Sequence, residues 1–406
     1  MDRTQYELER LLGINYYTLN AVEIKSLKPR QTPEEFIVEE IDRNNIAVTE
    51  YVTATRRLQS KPVNGIYAAY VLCKRGISTL KALQILRRKL HVPEHYVTIA
   101  GLKDANALTC QLVHVNITHK NYIPGIIWDD NVKAFLIGFS NKPLSRGDLW
   151  GNKFTIILIL GQDELSKLLN NYNVLKKENM LPAYYGYQRF GTRRPITHII
   201  GKYIVKREWC STLKSIINIP FTTENERIVR WRLYAWSLRK DSKPPSRLDI
   251  EERIYSVLRE ERESYCFNIL VRSIPRILFK LFLSAYQSYL FNYILSLKIE
   301  DQTYNSLDIN DNIIVPGYKL GRCDRHCRYA LENENVTSKD FYVKELKMKT
   351  FSYKRQTKMY IYDPQIRVLE ASNNIARVLL SFRLRKGMYA TMVLRELTRA
   401  NPLVLT

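Results

Sequence analysis

Apolar and polar residues roughly alternate from Cys110 to Ile117, the period of a half-buried strand. Shorter runs at 36–40, "FIVEE", and 46–52, "IAVTEYV", predict two more strands, with polar turn-like stretches at 39–45 and 56–64 beside them. The segment 78–92, "STLKALQILRRKLHV", has a different period. It places Leu80, Leu83, Ile85, Leu86 and Leu90 near helical spacing, with Arg87, Arg88 and Lys89 on the solvated side and Ser78 or Thr79 as N-cap. "GNKFTIILILG" (151–161) predicts a buried strand, and "DELSKLLNNYNVLKKENMLP" (163–182) an amphipathic helix stopped by Pro182. No regular βαβ alternation links these elements, so an α+β fold is expected over a doubly wound one.

The texture changes between about residues 207 and 370. Charged clusters such as "RKDSKPPSRLDIEER" (239–253) and "CDRHCRYALENENVTSKD" (323–340) interrupt helix-like runs, among them "FKLFLSAYQSYLFNYILSLK" (279–298). Strand-like periodicity then returns in "ARVLLSFRL" (376–384) and "MYATMVLREL" (388–397). A segment of one texture between ends of another predicts an inserted domain.

Length and composition narrow the function. The 406 residues suggest two or three domains at roughly 150 residues each. Lys and Arg number 63 against 40 Asp and Glu, a formal charge of +23, which points to a polyanionic partner, nucleic acid first. A surface built only for solubility or heat would balance Lys with Glu. The excess is steep toward the end, where residues 341–406 hold thirteen Lys or Arg and four Asp or Glu. There is no run of 18 apolar residues and the N-terminus "MDRTQYELERLL" is charged, so no membrane is expected and a cytoplasmic location is. The six cysteines, scattered along the chain, do not read as a disulfide framework. Only "CDRHC" (323–327) looks ligand-like, and no second Cys or His pair follows it, so no metal is expected.

One charge pair stands out. Lys103 and Asp104 sit side by side just before the strand at 110–117. Taken alone they are an exposed turn pair worth under about 1 kcal/mol. The surrounding letters G-x-K-D-x-x-A-x-T-x-Q (Gly101, Lys103, Asp104, Ala107, Thr109, Gln111) nonetheless resemble the signature of the TruD family of tRNA pseudouridine synthases. "RQTPEEFIVEE" (30–40) looks like that family's K-x-x-P-E-D-F-x-V-x-E, "LSRGDLWGNKF" (144–154) like its G-x-L-x-G-N-x-F, and "YYGYQRFG" (184–191) like its N-Y-F-G-x-Q-R-F-G. "AYQSYLFNYILS" (285–296) and "GMYATMVLREL" (387–397) match its A-x-x-S-x-L-F-N and G-x-Y-A-T-x-x-L-R-E-L. The motifs occur in family order, and the chain looks like an archaeal-type member.

The resemblance implies a fold and an activity. The fold is a pseudouridine synthase core, a mixed and largely antiparallel sheet flanked by helices, at 1–205 and 366–406, with an inserted α+β TruD-specific domain at 206–365 and RNA in the cleft between. The activity is isomerisation of a specific uridine in tRNA, uridine 13 of the D-arm in the family norm, with uridine 35 of a tyrosine pre-tRNA as the other known target. Uracil is its own leaving group and its own nucleophile, so no cofactor is implied. One ionised carboxylate beneath the sugar is, and the motif puts Asp104 there, either to add to C1′ or to remove the C2′ proton.

The remaining site residues follow from the same motifs. Arg30 aligns with the family's lysine beside the carboxylate, with Lys103 and Arg189 as further cations. Phe36 is a wall of the pocket, and Gln188 lies in the matched Q-R-F-G. Tyr185 stands where a family phenylalanine stacks on the flipped base, and Ala183 where an asparagine orients the carboxylate, a bond left to Tyr184, Tyr187 or Gln188. Glu35 replaces the usual aspartate. Two other classes remain in view. Ala183 makes a tRNA-binding and folding factor without catalysis thinkable, and a methyltransferase would require a G-x-G-x-x-G loop, which is absent.

Overall fold

The structure, a computed structural model, describes residues 1–54, 65–118, 120, 123–191, 194–238, 244–245, 248–260, 265–372 and 374–405. The turn expected at 56–64 and residues 239–243, 246 and 247 of the first charged cluster lie outside them.

A nine-stranded sheet organises the chain. Its strands are β1 (Phe36–Asp42), β2 (Tyr67–Arg75), β3 (Val97–Ile99), β4 (Leu108–Asn116), β5 (Ile126–Asp129), β6 (Val132–Ser140), β7 (Leu149–Gly161), β8 (Tyr362–Ala371) and β9 (Ile375–Arg385). They lie in the order β8-β9-β7-β1-β4-β2-β6-β5, with β3 also on β4. The β1–β4 pair is parallel and the other pairs are antiparallel, so the sheet is mixed and largely antiparallel, as expected. One edge of β4 is shared: Leu108, Thr109 and Cys110 pair with β1, and Val113, His114 and Val115 with β3.

Helices cover the sheet in groups. Val48 of α1 (Val48–Ala54) packs with Val71 and Leu112, while Ala82 and Leu86 of α2 (Thr79–Leu90) pack with Tyr70 and Val113. Leu168 and Leu175 of α3 (Leu165–Glu178) belong to the largest core, with Ile156, Leu158, Val378 and Leu380 of the sheet. That core continues into a helical segment, α4 (Thr197–Val205), α5 (Trp209–Asn218), α6 (Glu226–Leu238), α7 (Asp249–Glu260), α8 (Cys266–Ser273), α9 (Arg276–Glu300) and α10 (Arg325–Asn333). The C-terminal α11 (Ala390–Thr398) closes it.

Several local expectations are corrected. Residues 39–42 extend β1, and the turn begins only at Asp42, whose Oδ1 accepts the N–H groups of Asn44 and Ile46 at 2.9 Å each. The strand expected at 46–52 is α1, because Val48 and Val52, four residues apart, face the sheet and tertiary packing overrides the β propensity of a seven-residue run. The strand expected at 388–397 is α11. All nine of its residues are buried, its polar stripe of Thr391, Arg395 and Thr398 included, while Ala390, Val393, Leu394 and Leu397 keep the apolar helical spacing. Helix α3 ends at Asn179, left-handed with φ 41°, before Pro182, which pairs with Lys358 in a two-stranded ribbon. Ser78 does cap α2, but Leu80 is exposed rather than on its buried face.

The cysteine reading is also overturned. All six are paired, as Cys73–Cys110, Cys210–Cys266 and Cys323–Cys327. Cys73 and Cys110 face each other across the β2–β4 register with Cα atoms 4.1 Å apart, a proximity that 37 residues of separation conceal. The third disulfide uses both sulfurs of "CDRHC", while His326 Nε2 sits 2.7 Å from Asp301 Oδ2.

A fully buried ion cluster ties the two ends of the chain together. Arg395 on α11 places Nε 2.8 Å from Glu9 Oε1 and Nη1 2.7 Å from Glu396 Oε1, and its guanidinium lies 3.8 Å over the Tyr17 ring. Tyr187 donates its hydroxyl to the same Glu9, and Glu396 accepts the N–H groups of Thr18 and Leu19 at 2.9 Å each. Removing the one cation would strand two carboxylates in a dry core. Arg395→Met is therefore expected to cost about 3–5 kcal/mol, read as a lower urea midpoint at unchanged slope. A wild-type midpoint would show that the cluster does not anchor the fold.

Candidate active site

Parallel strands begin at the same edge of a sheet, so the loops that lead into β1 and β4 meet there. The first brings Arg30 to Phe36 at the start of β1, and the second brings Gly101 to Ala107 before β4. Strand β2 runs the opposite way and ends at that edge, where Lys74, its last residue but one, lies beside Thr109 in register. Asp104 stands among them with its side chain 30% exposed. Its Oδ1 accepts the N–H of Asn106 at 2.9 Å, an Asx turn that fixes the carboxylate's direction.

Two cations address Asp104 by different routes. Arg30 Nη2 lies 4.0 Å from Oδ2, and its guanidinium sits 4.3 Å over the Phe36 ring. Burial lowers the Arg30 pKa, and the Asp104 charge opposes that shift. Lys74 is buried on the face of β2 that carries Tyr70 and Leu72, and its Nζ donates to the Asp104 backbone carbonyl. Burial pulls its ammonium down to about 8, with Asp104 opposing and Lys103 reinforcing the shift. Lys103 itself turns away from its neighbour. Its Nζ lies 2.8 Å from Oε1 of the buried Glu40 and donates to Asn152 Oδ1 at 2.7 Å. The other Glu40 oxygen accepts the Leu112 N–H at 2.8 Å, so the carboxylate joins the loop to β4. Thr79 Oγ1 accepts the Lys103 N–H at 2.9 Å, and Gln111 donates to the Gly101 carbonyl at 3.2 Å. Side chains of the G-x-K-D signature thus brace the loop that presents Asp104.

Asp104 opens onto a cleft of about 690 Å³ whose walls include Phe36, Lys103, Asn152, Gln188 and Tyr389. Thr223, between α5 and α6, closes it from the helical segment. Among the described residues lining it, Asp104 is the sole carboxylate. No group of three or more His, Cys, Asp or Glu among the described residues is placed to hold a metal. A partly exposed carboxylate with cations behind it and aromatic walls before it can act as a nucleophile or a base toward a planar substrate.

Four of the expected residues, Asp104, Phe36, Lys103 and Gln188, line this cleft, and Arg30 reaches Asp104 across Phe36. The other two do not line it. Arg189 donates from Nε to Ser288 Oγ at 2.9 Å. Tyr185 is 7% exposed, with Arg355 stacked 3.8 Å over its ring and its hydroxyl 2.7 Å from that of Tyr353. Asn292 of α9 accepts the Tyr185 N–H at 2.8 Å and donates back to the Tyr185 carbonyl at 3.1 Å, which pins the segment. Ala183 is buried, and its carbonyl accepts from Arg355 Nη2 at 2.9 Å. Three residues on, glycine is required, because a Cβ on Gly186 would lie 2.7 Å from Thr391 Oγ1 and 2.9 Å from the Tyr389 ring.

The sequence reading missed Lys74, Asn152, Tyr389 and Thr223. Asn152 and Tyr389 lie within matched motifs and could have been picked out there. Lys74 is signalled only as the first of two basic residues, Lys74 and Arg75, closing an apolar run, and Thr223 by nothing.

Comparison with known proteins agrees with this geometry. The family model for tRNA pseudouridine synthase D, TruD, matches residues 11–320 and 313–397. A protein of Sulfurisphaera tokodaii that carries that name is 36% identical over 85% of this chain and 88% of its own. One of Saccharolobus solfataricus is 33% identical over 83% and 85%. A crystal structure from Methanosarcina mazei, also titled as a TruD, superposes with a TM-score of 0.72 at 26% identity, covering 98% of this chain and 99% of its own. The fold, the motifs and these matches agree: the chain belongs to the TruD family of tRNA pseudouridine synthases.

Proposed function

We propose that this synthase isomerises uridine 13 in the D-arm of tRNA in the cytoplasm, with Asp104 as the carboxylate that acts on the ribose. In the same reading residues 1–205 and 366–406 are the catalytic core and 206–365 the insertion. The observation that carries it is the placement of Asp104, held by an Asx turn 4.0 Å from Arg30 at the mouth of a cleft between aromatic walls.

The reaction breaks C1′–N1, turns the uracil, and joins C1′ to C5. N1 gains a proton and C5 loses one, so nothing is consumed. Asp104 either bonds to C1′ as N1 departs or takes the C2′ proton, and both routes require it ionised. Arg30 and Lys74 set positive charge beside it, while Lys103, Glu40 and Asn152 keep the loop still. The target uridine must leave its stack at a cost of a few kcal/mol. Phe36 and Tyr389 offer replacement surface, with Tyr185 behind Tyr389 at 6.0 Å between ring centres. An aromatic ring stacked on a base returns roughly 1–3 kcal/mol. The folding-factor reading loses its motive, because Ala183 is buried away from the cleft lining.

Asp104→Asn is expected to abolish pseudouridine formation while tRNA affinity stays within about threefold, since binding draws on many phosphate contacts. The assay is single-turnover conversion of bulk unmodified tRNA, mapped by carbodiimide-dependent primer-extension stops. More than a few per cent of the wild-type rate would refute the role of Asp104, and a stop confined to uridine 35 of tyrosine pre-tRNA would replace the target. If about five to seven phosphates are neutralised, affinity should fall with salt at a log–log slope of about −4 to −6. A flat response would detach the +23 charge from RNA binding.

Lys74 gives a pH-dependent stability. Its folded pKa, about 8, lies below the ordinary lysine value, so between the two the unfolded chain binds more protons and stability gains as pH rises. Lys74→Met removes that gain. Relative to the mutant, the wild type should improve by on the order of 1–2 kcal/mol between pH 7 and pH 10 in urea unfolding. A constant difference would mean that the ammonium is not buried as described.

A further inference from the structure

A second cavity, of about 580 Å³, shares Met388 with the Asp104 cleft and is walled by Trp150, Tyr360, Tyr362, Arg43, Arg385 and Lys386, among others. No Asp or Glu lines it among the described residues. The aromatic groups form a cluster. Trp150 meets Tyr362 edge-on with ring centres 4.9 Å apart, and Tyr360 lies 4.6 Å from Tyr362. The Arg385 guanidinium sits 4.5 Å from the Trp150 ring and 5.9 Å from that of Tyr362, and it has no carboxylate partner among the described residues. Arg43, by contrast, is already paired with Asp148.

The backbone is shaped to build this cluster. Between β1 and β7 the register steps from Ile41 opposite Gly151 to Asp42 opposite Leu149, which leaves Trp150 as the extra residue of a bulge. Bulges re-aim a side chain out of the alternation of its strand. On the other edge Gly151 pairs with Arg385, and a Cβ on Gly151 would fall 1.9 Å from the Leu384 carbonyl oxygen. Only glycine allows β9 this close, and the approach sets Arg385 against Trp150. The Lys386 N–H then donates to the Trp150 carbonyl at 3.1 Å, which locks the corner.

We propose that this cavity is a second RNA site, which holds an unpaired nucleotide of the bound tRNA with its base against Trp150 and Tyr362 and its phosphate at Arg385 and Lys386. The proposal rests on the tRNA reading above. Half-buried aromatic rings beside a guanidinium that no described carboxylate pairs, with no acid among the described lining, suit a nucleotide, since every base has a face to stack and every phosphate accepts a forked pair of N–H bonds. The volume falls within the several hundred ångströms cubed of ordinary small-ligand sites. Because Met388 lines both cavities, one RNA strand entering the cleft runs past the second site. Capture of a neighbouring nucleotide would then offset stacking lost when the target uridine leaves the helix.

The test is the dissociation constant of the full-length protein for unmodified tRNA, with folding checked by circular dichroism. Trp150→Ala is expected to weaken binding about 10-fold, and Trp150→Phe to recover most of that loss. Arg385→Gln should weaken binding several-fold and flatten the log–log salt slope by about 0.7–0.9, the share of one phosphate. Folded Trp150→Ala with wild-type affinity would overturn the proposal. If that variant does not fold, unchanged affinity and slope in Arg385→Gln would overturn it instead. Wild type that binds tRNA but makes no pseudouridine would strike the reaction assignment alone, because the binding comparison still judges this site; wild type that binds no tRNA would overturn both.

Discussion

The constraint on which the site depends is the parallel pairing of β1 with β4 inside an otherwise antiparallel sheet. Ile37 lies opposite Leu108, so the two strands start together, and everything that precedes them in the chain is delivered to one edge. Arg30 and Phe36 arrive from one loop, Lys103 and Asp104 from the other, and Lys74 from the end of antiparallel β2. Had β1 and β4 been antiparallel, Phe36 and Asp104 would stand at opposite ends of strands roughly 20 Å long. Parallel neighbours cannot be joined by a hairpin. The connection runs instead through α1, β2, α2 and β3, and the core shared by the last three anchors the edge from the far side.

Electrostatics at that edge divides labour among charges that the sequence places together. Of the adjacent pair Lys103 and Asp104, one turns inward to Glu40 and Asn152 and the other outward to the cleft. A buried ammonium needs an anion, and Glu40 supplies one that cannot react, being fully buried and bonded to the Leu112 N–H. Asp104 is thereby spared a close ion pair that would block its oxygens, and Arg30 approaches no nearer than 4.0 Å. The carboxylate keeps a favourable field and an open face at once.

Much of this was legible in the sequence because family motifs mark chemistry rather than elements. The motifs located Asp104, Phe36, Lys103 and Gln188, and strand periodicity located β4, β7 and β9. What failed depended on partners distant in sequence. Helices α1 and α11 carry strand-like patterns, because one is too short to show a period and the other is buried on every side. The Cys73–Cys110 bond depends on a strand register, and Lys74 gains its meaning only when β2 returns beside β4. Each is a pairing fact, which local pattern does not carry.

The departures at Ala183 and Tyr185 read differently once their surroundings are known. A tyrosine hydroxyl could in principle have replaced the missing asparagine at Asp104, but the Tyr185 hydroxyl is engaged by Tyr353 at 2.7 Å and Arg355 covers the ring. Arg355 also donates to the Ala183 and Gly387 carbonyls at 2.9 and 3.0 Å, so one guanidinium joins the 183–186 segment to the turn that precedes Tyr389. Asn292 fixes the same segment from α9. The changed positions therefore belong to a layer behind the cleft wall, held by the side chains of Asn292, Tyr353 and Arg355. In the proposed reading a substitution there would act on the reaction through where it sets Tyr389, the ring of the two that lines the cleft.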